Sequence, residues 1–338
     1  MEEKGIERIL VLRGGAIGDF ILTIPAVEAI RRRWPCAQID LATRNEAGSL
    51  AVECGVADRV RRLESGVLSR LFAARTGRDP DLADNLRRFD LAVCFLHDPD
   101  GRVARNLAAA GIPKVIAGSP IVRAGHAVDH FLHILETGGI DVVYGAHPRL
   151  RLPAARVAMG RHWRETIGAP AVVLHPGSGS RRKNWALEHF IALARKIGGS
   201  TALQPVFSTG EADAELAERI ARDAGDSRLL ADMPLPILAG ILSAAAAYVG
   251  NDSGITHLAA ALGVPVVAIF GTTDPATWGP RGEKVTCVTA AEPGFEGMER
   301  ITVEQVWAAL AAQLQEAHRG CVGAAGGSFD RTNRVRQE

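Results

Sequence analysis

A short polar stretch in the second half of the chain, GNDSGITH at residues 250–257, has the residue types to bind an anion. It follows an apolar run at residues 244–249, which is typical of a buried strand, and precedes an apolar helical pattern at residues 258–262. Such a turn exposes backbone N–H groups at a helix N-terminus, and together with the helix dipole they form an anion site. The alternative is a simple helix cap, in which Asp252 or Ser253 bonds to the first turn.

A second polar stretch, HPGSGSRRKNW, begins at His175 and also follows an apolar run. Its glycines let a ligand approach the backbone, and its cations can neutralise phosphate. Its candidate ligand-binding side chains are Ser178, Ser180 and Lys183, although a solvated basic turn fits the same pattern. After the next predicted strand, Glu211 lies where an acid could bind ribose hydroxyls, or where it could simply favour a helix N-terminus.

The loop GGAIGD, which ends at Asp19, follows the first apolar run of the chain. It matches the dinucleotide-binding fingerprint only in part, because Arg13 stands where the first glycine is required. Gly15 and Gly18 fit the other two positions, and Asp40 lies near the position expected for a ribose-binding acid. A nicotinamide or flavin dinucleotide is therefore an alternative that the residues do not favour. Asp19 lies at the start of a helix, where a carboxylate also complements the helix dipole.

Two Asp-Pro-Asp triplets, at residues 79–81 and 98–100, could hold a divalent metal beside a sugar diphosphate. The central proline makes tight turns the better interpretation. Between residues 59 and 78, six arginines face a single acid, Glu64. A solvated surface is the default interpretation of this basic segment, and an anionic acceptor would also suit it.

Apolar runs and helical patterns alternate along the whole chain, which indicates parallel α/β sheets. The alternation is interrupted by a polar helix near residues 153–169 and then starts again. We therefore predict two Rossmann-like domains, at residues 1–160 and 161–316. A last helix is expected at residues 302–315, followed by a loose tail at residues 317–338 that is rich in Gly, Ala and Arg.

Composition and charge narrow the functional classes. The chain has 338 residues, of which 47% are hydrophobic and 23% charged, as is usual for a globular protein. A net charge of +1 provides no global field that would attract nucleic acid. Five cysteines without a C-x-x-C pair favour neither a disulfide framework nor a zinc site. We expect no signal peptide and no membrane span, and therefore a cytoplasmic protein.

Taken together, four segments of the chain resemble glycosyltransferase family 9, the ADP-heptose:lipopolysaccharide heptosyltransferases. The segments are ILVLRGGAIGDFILTIPAV, HPGSGSRRKNW, FSTGEADAE and NDSGITHLAAALGVPVVAIFGTTDP, and they follow the family order along nearly the whole chain. The resemblance implies an α/β GT-B fold, in which two Rossmann-like domains with parallel sheets face a central cleft. It also implies a C-terminal domain that binds the nucleotide sugar, and catalysis without a metal or another cofactor. The match weakens at residues 59–150, where the acceptor should bind.

The resemblance also implies roles for individual residues. Asp19 looks like the family's candidate catalytic base, Lys183 like the lysine that contacts the diphosphate, and Glu211 like the acid on the nucleotide ribose. The other donor-binding candidates are Ser178, Ser180, Asp252, Ser253, Gly254, Thr256 and His257. The acceptor-binding candidates are Gly15, Arg62, Arg70, Arg75 and Arg78.

The implied activity is inverting, metal-independent transfer of a heptose from ADP-heptose to a hydroxyl of a lipopolysaccharide inner-core acceptor. A base takes the hydroxyl proton while the diphosphate leaves from the opposite face, and cations with helix N–H groups stabilise the leaving charge. The expected partners are the nucleotide sugar and an anionic glycolipid, without nucleic acid, for a monomer at the cytoplasmic face of the inner membrane. Three other classes stay open: a nucleotide-sugar epimerase, an NAD or FAD oxidoreductase, and a non-catalytic binding module.

Overall fold

The computed structural model contains two parallel β-sheets, each flanked by helices. It describes residues 5–44, 46–64, 66–74, 79–225, 227–290 and 297–325. The first half of the chain contains β1 (Arg8–Arg13), α1 (Ile17–Arg33), β2 (Gln38–Thr43), α2 (Ala47–Glu53), β3 (Arg59–Arg62), α3 (Pro80–Leu86), β4 (Leu91–Phe95), α4 (Arg102–Ala109), β5 (Lys114–Ala117) and α5 (Ala127–Thr137).

The second half repeats the same kind of alternation. It contains α6 (Ala154–Ile167), β6 (Ala171–His175), α7 (Leu187–Ser200), β7 (Gln204–Thr209), α8 (Ala214–Asp223), β8 (Arg228–Ala231), α9 (Leu235–Ser243), β9 (Ala247–Asn251), α10 (Gly254–Ala261), β10 (Val266–Phe270), α11 (Pro275–Trp278), β11 (Val285–Thr289) and α12 (Val303–Ala325). The prediction of two Rossmann-like halves with parallel sheets is therefore confirmed.

The candidate loops lie at the point in each sheet where the strand order reverses, that is, where successive strands begin to be added on the other side of the first one. The first sheet has the order β3-β2-β1-β4-β5, and the second has the order β11-β10-β9-β6-β7-β8. In the first sheet the reversal lies between β1 and β4, and in the second it lies between β6 and β9. A crevice opens at the carboxyl ends of the strands at such a point, and ligands bind there. The loops after β1, β6 and β9 carry Asp19, Lys183 and Asp252.

Three parts of the predicted pattern need correction. Strand β9 covers residues 247–251 and not 244–249, so Gly250 and Asn251 belong to the sheet and not to the turn. Helix α12 continues to Ala325, so the predicted end at residue 315 was wrong, and the expected loose tail is helical at residues 317–325. The rest of that expected tail lies outside the described residues. Residues 316–325 contain three alanines and no proline, which favours continuation of the helix.

The basic segment between residues 59 and 78 is partly a strand. Residues 59–62 form β3 at the edge of the first sheet, where exposed arginines blunt a strand edge that would otherwise pair with another chain. In both Asp-Pro-Asp triplets the first aspartate caps a helix: Asp79 accepts from Leu82 N, and Asp98 accepts from Val103 N and Ala104 N. The triplet at residues 98–100 is a turn, as predicted, whereas the triplet at residues 79–81 begins helix α3, because proline is well suited to the first helical position.

The two halves pack against each other along α1 and α10, and along α2 and α9. Gly18 and Gly254 allow the close approach of the first pair, because a Cβ at position 254 would lie 2.9 Å from Gly18 N. One apolar core continues through this contact and includes Ile24 of α1 and Leu258 of α10. The crevice is therefore bordered by two helix N-termini, one from each half of the chain.

Polar contacts between the halves flank this helix pair. Arg156 makes two hydrogen bonds to Glu53, and Arg281 makes a bidentate pair with Asp129. The expected domain boundary at residue 160 falls inside α6, which packs against α9, and the division of the chain into domains stays a prediction. None of the helices in the described part of the chain is long and apolar enough to cross a bilayer.

Candidate active site

Asp19 lies in the first turn of α1, at the carboxyl edge of the first sheet. Its Oδ2 accepts from Ala16 N at 2.8 Å, and its Oδ1 accepts from Arg13 Nη2 at 3.0 Å. Gly15 lies directly beneath it in the left-handed region (φ 93°), where an alanine Cβ would lie 2.5 Å from Asp19 Oδ2. The glycine therefore makes room for the carboxylate. With 34% of its side chain exposed, Asp19 can reach a substrate.

Lys183 faces Asp19 from the second half of the chain. It ends a short 3₁₀ turn, and its Nζ lies 2.7 Å from Asp252 Oδ2, which also accepts from Thr273 Oγ1 at 2.7 Å. The lysine side chain is 32% exposed, whereas that of Asp252 is 9% exposed. The ammonium is thus held at the cavity surface by a carboxylate that lies deeper.

One buried amide connects the loop that carries Lys183 to the turn that carries Asp252. Asn251 is fully buried, its Oδ1 accepts from Trp185 N at 3.0 Å, and its Nδ2 donates to Pro176 O at 2.7 Å. These bonds fix both ends of the loop at residues 176–185. Because both groups are buried backbone groups, the asparagine satisfies bonds that would otherwise be lost.

The N-terminus of α10 is capped by Ser253, whose Oγ accepts from Thr256 N. Thr256 is fully buried, and its hydroxyl lies within hydrogen-bond distance of Tyr248 OH and Ser253 Oγ and donates to Asn251 O. The side chain of Thr256 therefore stabilises the turn from the protein core and does not line the cavity. Ser253 and Gly254 do line it.

His257 closes the base of the cavity and is almost completely buried. Burial lowers the pKa of His257 to about 4, with His126 and Lys183 acting in the same direction and Asp252 and Asp19 opposing them. The imidazole is therefore neutral at neutral pH. In that form it keeps one N–H donor and one acceptor for a bound ligand.

A cavity of about 290 Å³ between the two halves of the chain brings these groups together. Its lining contains residues from both halves: Ala16, Gly18, Asp19, Leu22, Gly179, Lys183, Asp252, Ser253, Gly254, His257, Thr273 and Trp278. Asp19 thus shares one solvent-open cavity with the Lys183 ammonium, the Asp252 carboxylate and the N-terminus of α10. An anion can therefore bind beside Lys183 and the N-terminus of α10, while Asp19 can act as a base on the opposite side of the cavity.

The remaining donor-site candidates lie next to this cavity. Ser178 and Ser180 line a neighbouring cavity of about 370 Å³, and Ser178 Oγ is engaged within its own loop with Ser180 O and Asn184 Oδ1. Glu211 is exposed at the end of β7, on the same sheet edge as Lys183, and lines neither cavity. Its place suits a longer ligand that extends beyond the 290 Å³ cavity.

Among the described acceptor candidates, Gly15 lies beside Asp19, whereas Arg62 and Arg70 do not line the cavity. Arg70 is paired with Asp79 and Asp81, and Arg62 ends the edge strand β3. The other two candidates, Arg75 and Arg78, lie outside the described residues.

The dinucleotide alternative loses its structural basis. Gly15 and Gly18 are occupied by the Asp19 carboxylate and by the contact with α10, and Asp40 is fully buried in a pair with Arg61. The glycines that would contact the pyrophosphate of a dinucleotide and the acid that would bind its ribose are therefore not available. Among the described residues, no group of three or more His, Cys, Asp or Glu side chains could hold a metal ion.

The sequence profile of glycosyltransferase family 9 (heptosyltransferase) matches residues 122–316, more than half of the chain. The chain is also 31% identical to lipopolysaccharide heptosyltransferase 1 of Escherichia coli K12 over 306 residues, which are 82% of this chain and 91% of that protein. This chain belongs to glycosyltransferase family 9. It is therefore a glycosyltransferase, and the family predicted from the four segments is confirmed.

Other relatives agree with this assignment. Lipopolysaccharide heptosyltransferase 1 of Pseudomonas aeruginosa is 26% identical over 81% of each chain. A family 9 glycosyltransferase of Veillonella parvula superimposes with a TM-score of 0.78 at 19% identity, covering 93% of this chain and 99% of that chain. The E. coli ADP-heptose lipopolysaccharide heptosyltransferase II superimposes with a TM-score of 0.75 at 20% identity, with 92% and 99% covered. These structures show the shared fold and confirm the predicted GT-B architecture.

Sequence reasoning missed several residues of the site. Arg13 was noticed only as a departure from a dinucleotide motif, and Asn251 was assigned to the turn. Thr273 lies in the segment GTTDP, which carries part of the family resemblance, but it was not among the predicted site residues. Both Thr273 and Trp278 follow β10 and line the cavity. A signal for them existed, since Arg13 and Asn251 end strands and Thr273 and Trp278 follow one, but their convergence depends on the strand order.

Proposed function

We propose that this family 9 glycosyltransferase transfers a heptose from ADP-heptose to a hydroxyl of a lipopolysaccharide inner-core acceptor, with inversion and without a metal. The observation that carries the proposal is the cavity in which Asp19, from the first half of the chain, faces Lys183 and the N-terminus of α10, from the second. Relatives named as lipopolysaccharide heptosyltransferases, and solved E. coli heptosyltransferases with ADP and with an ADP-heptose analogue, support the donor and the acceptor class.

In this proposal Asp19 acts as the general base. It accepts the proton of the acceptor hydroxyl while that oxygen bonds to the anomeric carbon of the heptose. The bond from that carbon to the diphosphate oxygen breaks on the opposite face, and ADP leaves with the electron pair. Attack opposite the leaving group inverts the anomeric configuration. A positioned base of this kind contributes about 100–10,000-fold to the rate.

The leaving diphosphate gains negative charge, and the second half of the chain provides the groups that stabilise it. Lys183 presents an ammonium at the cavity surface, and the N–H groups at the start of α10 add a favourable dipole. Asp252 positions the ammonium, and neutral His257 can donate a hydrogen bond. These groups take the part that a divalent cation plays in metal-dependent transferases. Glu211, Ser178 and Ser180 would bind the nucleotide beyond the cavity.

The acceptor would be an anionic, lipid-linked glycan, so we propose that the enzyme works at the cytoplasmic face of the inner membrane. We also propose that it works as a monomer. Arg62, at the end of the edge strand β3, and Arg70 are candidates for contacts with the charged groups of the acceptor.

The decisive experiment incubates the purified protein with ADP-heptose, with and without a lipid A–Kdo acceptor, in the presence of excess EDTA. ADP release, the mass of the glycolipid product and the anomeric configuration of the new linkage by NMR are measured. The proposal predicts acceptor-dependent ADP release, product heavier by one heptose, inversion, and full activity in EDTA. Conversion of the nucleotide sugar without acceptor would instead indicate an epimerase, and activity restored by Mg²⁺ or Mn²⁺ would contradict metal independence.

A further inference from the structure

A buried arginine lies directly behind Asp19. Arg13, the last residue of β1, is 3% exposed, and its guanidinium lies 4.7 Å from the centre of the Phe131 ring. It donates from Nη2 to Asp19 Oδ1 at 3.0 Å and from Nε to Thr23 Oγ1 at 3.0 Å. Longer contacts join Nε to Asp19 O at 3.3 Å and Nη1 to Phe95 O at 3.4 Å.

The guanidinium is held by two consecutive turns of α1 at once. Thr23, which accepts from the guanidinium, donates its own hydroxyl proton to Asp19 O at 2.8 Å. Arg13 thus contacts the carboxylate, the carbonyl of the same residue, and the residue one turn later. A planar fork with several donors can satisfy these acceptors together, whereas a lysine ammonium presents a single point charge.

Burial of this cation requires a counter-charge. Burial lowers the pKa of Arg13 from its ordinary value, and the neighbouring Asp19 carboxylate acts in the opposite direction. A buried charge without a partner is strongly unfavourable, so the ion pair with Asp19 is what permits this arginine at the end of β1. The same pair fixes one oxygen of Asp19, and Ala16 N fixes the other.

We propose that Arg13 is the positioning residue of the catalytic base: it sets the orientation of the Asp19 carboxylate toward the acceptor hydroxyl. This inference rests on the proposed function, in which Asp19 is the base. Arg13 does not line the cavity and acts only through Asp19. A displacement of a reacting group by about 1 Å can cost roughly 100-fold in rate, so a loss of this anchor should appear in kcat.

The chain offers a control in Arg61. This arginine pairs with Asp40 at 2.7 Å and lies over the Phe89 ring at 5.3 Å. Here the aspartate is the fully buried partner, whereas in the Arg13–Asp19 pair the arginine is the buried one. Neither Arg61 nor Asp40 lines the cavity. Arg61→Met therefore reports the effect of breaking a buried arginine–aspartate pair in the same sheet without touching the site.

The test measures acceptor-dependent ADP release and melting temperature for the wild type and for Arg13→Met, Arg13→Lys, Asp19→Asn, Arg61→Met and the double variant Arg13→Met/Asp19→Asn. We expect Arg13→Met to lower kcat by roughly 100-fold with donor KM within about twofold. Arg13→Lys should recover part of that loss. Arg13→Met should cause no further loss in the Asp19→Asn background, because both changes disable the same unit. Arg61→Met should lower the melting temperature with kcat unchanged.

The outcomes separate the inference from the proposed function. If the wild type transfers heptose and Asp19→Asn does not, the function stands and the Arg13 variants alone decide the inference. Equal kcat in Arg13→Met and wild type, or losses that multiply in the double variant, would overturn it. If Arg13→Met does not fold, Arg13→Lys carries the test, and unaltered kcat in that folded variant would count against positioning. Absence of transfer by the wild type would overturn the proposed function and the inference with it.

Discussion

The Nζ of Lys183 lies 2.7 Å from Oδ2 of Asp252, across 69 positions of sequence. The lysine that faces Asp19 in the cavity is therefore held in place by a carboxylate at the N-terminus of α10. The same carboxylate accepts from Thr273, so three loops of the second sheet converge on one group. A phosphate that enters the cavity would meet an ammonium that is already oriented, which limits the reorganisation needed in the transition state.

Replacement of Lys183 by alanine should lower kcat more than it raises the donor KM. The charge that the ammonium stabilises grows as the sugar–phosphate bond breaks, so the interaction is stronger in the transition state than in the ground state. The loss of one such group typically costs about 100–1,000-fold. Steady-state kinetics with the donor varied measures both constants. Arg182→Ala removes a neighbouring exposed cation that does not line the cavity and should have a smaller effect.

Glu211→Ala should have the opposite kinetic effect to Lys183→Ala, because it should change the donor KM more than kcat. If this exposed carboxylate binds the nucleotide ribose, whose charge does not change during transfer, its loss should raise the donor KM with little effect on kcat. A Lys183 variant altered only in KM, together with a Glu211 variant altered only in kcat, would contradict the assigned roles.

Replacement of Asn251 by leucine should release the loop that carries Lys183. The backbone N–H of Trp185 and the carbonyl of Pro176 would lose their partners, and each buried unsatisfied group costs about 1–3 kcal/mol. We expect a lower melting temperature together with a raised donor KM. Asn106→Leu is the control, since Asn106 donates to the backbone carbonyls of Leu71 and Ala73 in the first half of the chain and lines neither cavity. If both variants lose stability but keep the same donor KM, Asn251 does not act on the donor site.

Replacement of Gly254 by alanine should separate α1 from α10. The new Cβ would lie 2.8 Å from Ile17 Cβ and 2.9 Å from Gly18 N, and backbone atoms cannot yield as a flexible side chain could. Overpacking of this kind costs about 1–3 kcal/mol, and the shift would move Asp19 away from the donor groups. Gly198→Ala, in α7, meets no atom within 4 Å and should instead stabilise the helix by about 0.5–1 kcal/mol. Full activity of Gly254→Ala would mean that this contact does not set the site geometry.

Protonation of His257 should destabilise the protein in mild acid. The pKa of His257 is about 4 in the folded protein because of burial, against about 6.5 in the unfolded chain, so the unfolded state binds more protons between these values. The contribution of His257 to the free energy of unfolding is therefore fully present above about pH 6.5. It falls by up to roughly 3 kcal/mol as the pH is lowered towards 4. Burial also lowers the pKa of His126 and His175, which contribute in the same direction.

Denaturant unfolding of the wild type and of His257→Gln between pH 7.5 and 4.5 measures this dependence. In the variant, the free energy of unfolding should fall less steeply with decreasing pH, and the remaining dependence should come from His126 and His175. Identical slopes for the two proteins would show that His257 does not titrate as its burial requires.

Much of the site could be predicted from the sequence because the relevant loops follow apolar strands. In a parallel sheet these strands end at one edge, so Asp19, Lys183 and Asp252 were recognisable as candidates before their distances were known. The edge strand β3 was missed, since four residues with three arginines carry no apolar signal. The role of Asn251 was also missed, because the extension of β9 to that residue depends on pairing with β10.

Contacts between distant segments could not be predicted from local patterns. The approach of Gly18 to Gly254 depends on how two helices from different halves of the chain pack, and neither glycine has a positive φ that would mark it. The pair of Arg13 with Asp19 is closer in sequence, but it requires the exact turn between β1 and α1 around Gly15. Thr256 was predicted as a ligand-binding residue, yet its hydroxyl is turned into the core.

The central claim is that Asp19 is the base in a transfer that the two halves of the chain perform together. The most direct measurement is acceptor-dependent ADP release by Asp19→Asn, with the donor dissociation constant determined in parallel by calorimetry with ADP. Asparagine keeps the size of the side chain but cannot accept the acceptor proton. We predict that kcat falls by about 100–10,000-fold while the dissociation constant for ADP changes by less than about twofold. Near-normal turnover in this variant would contradict the account.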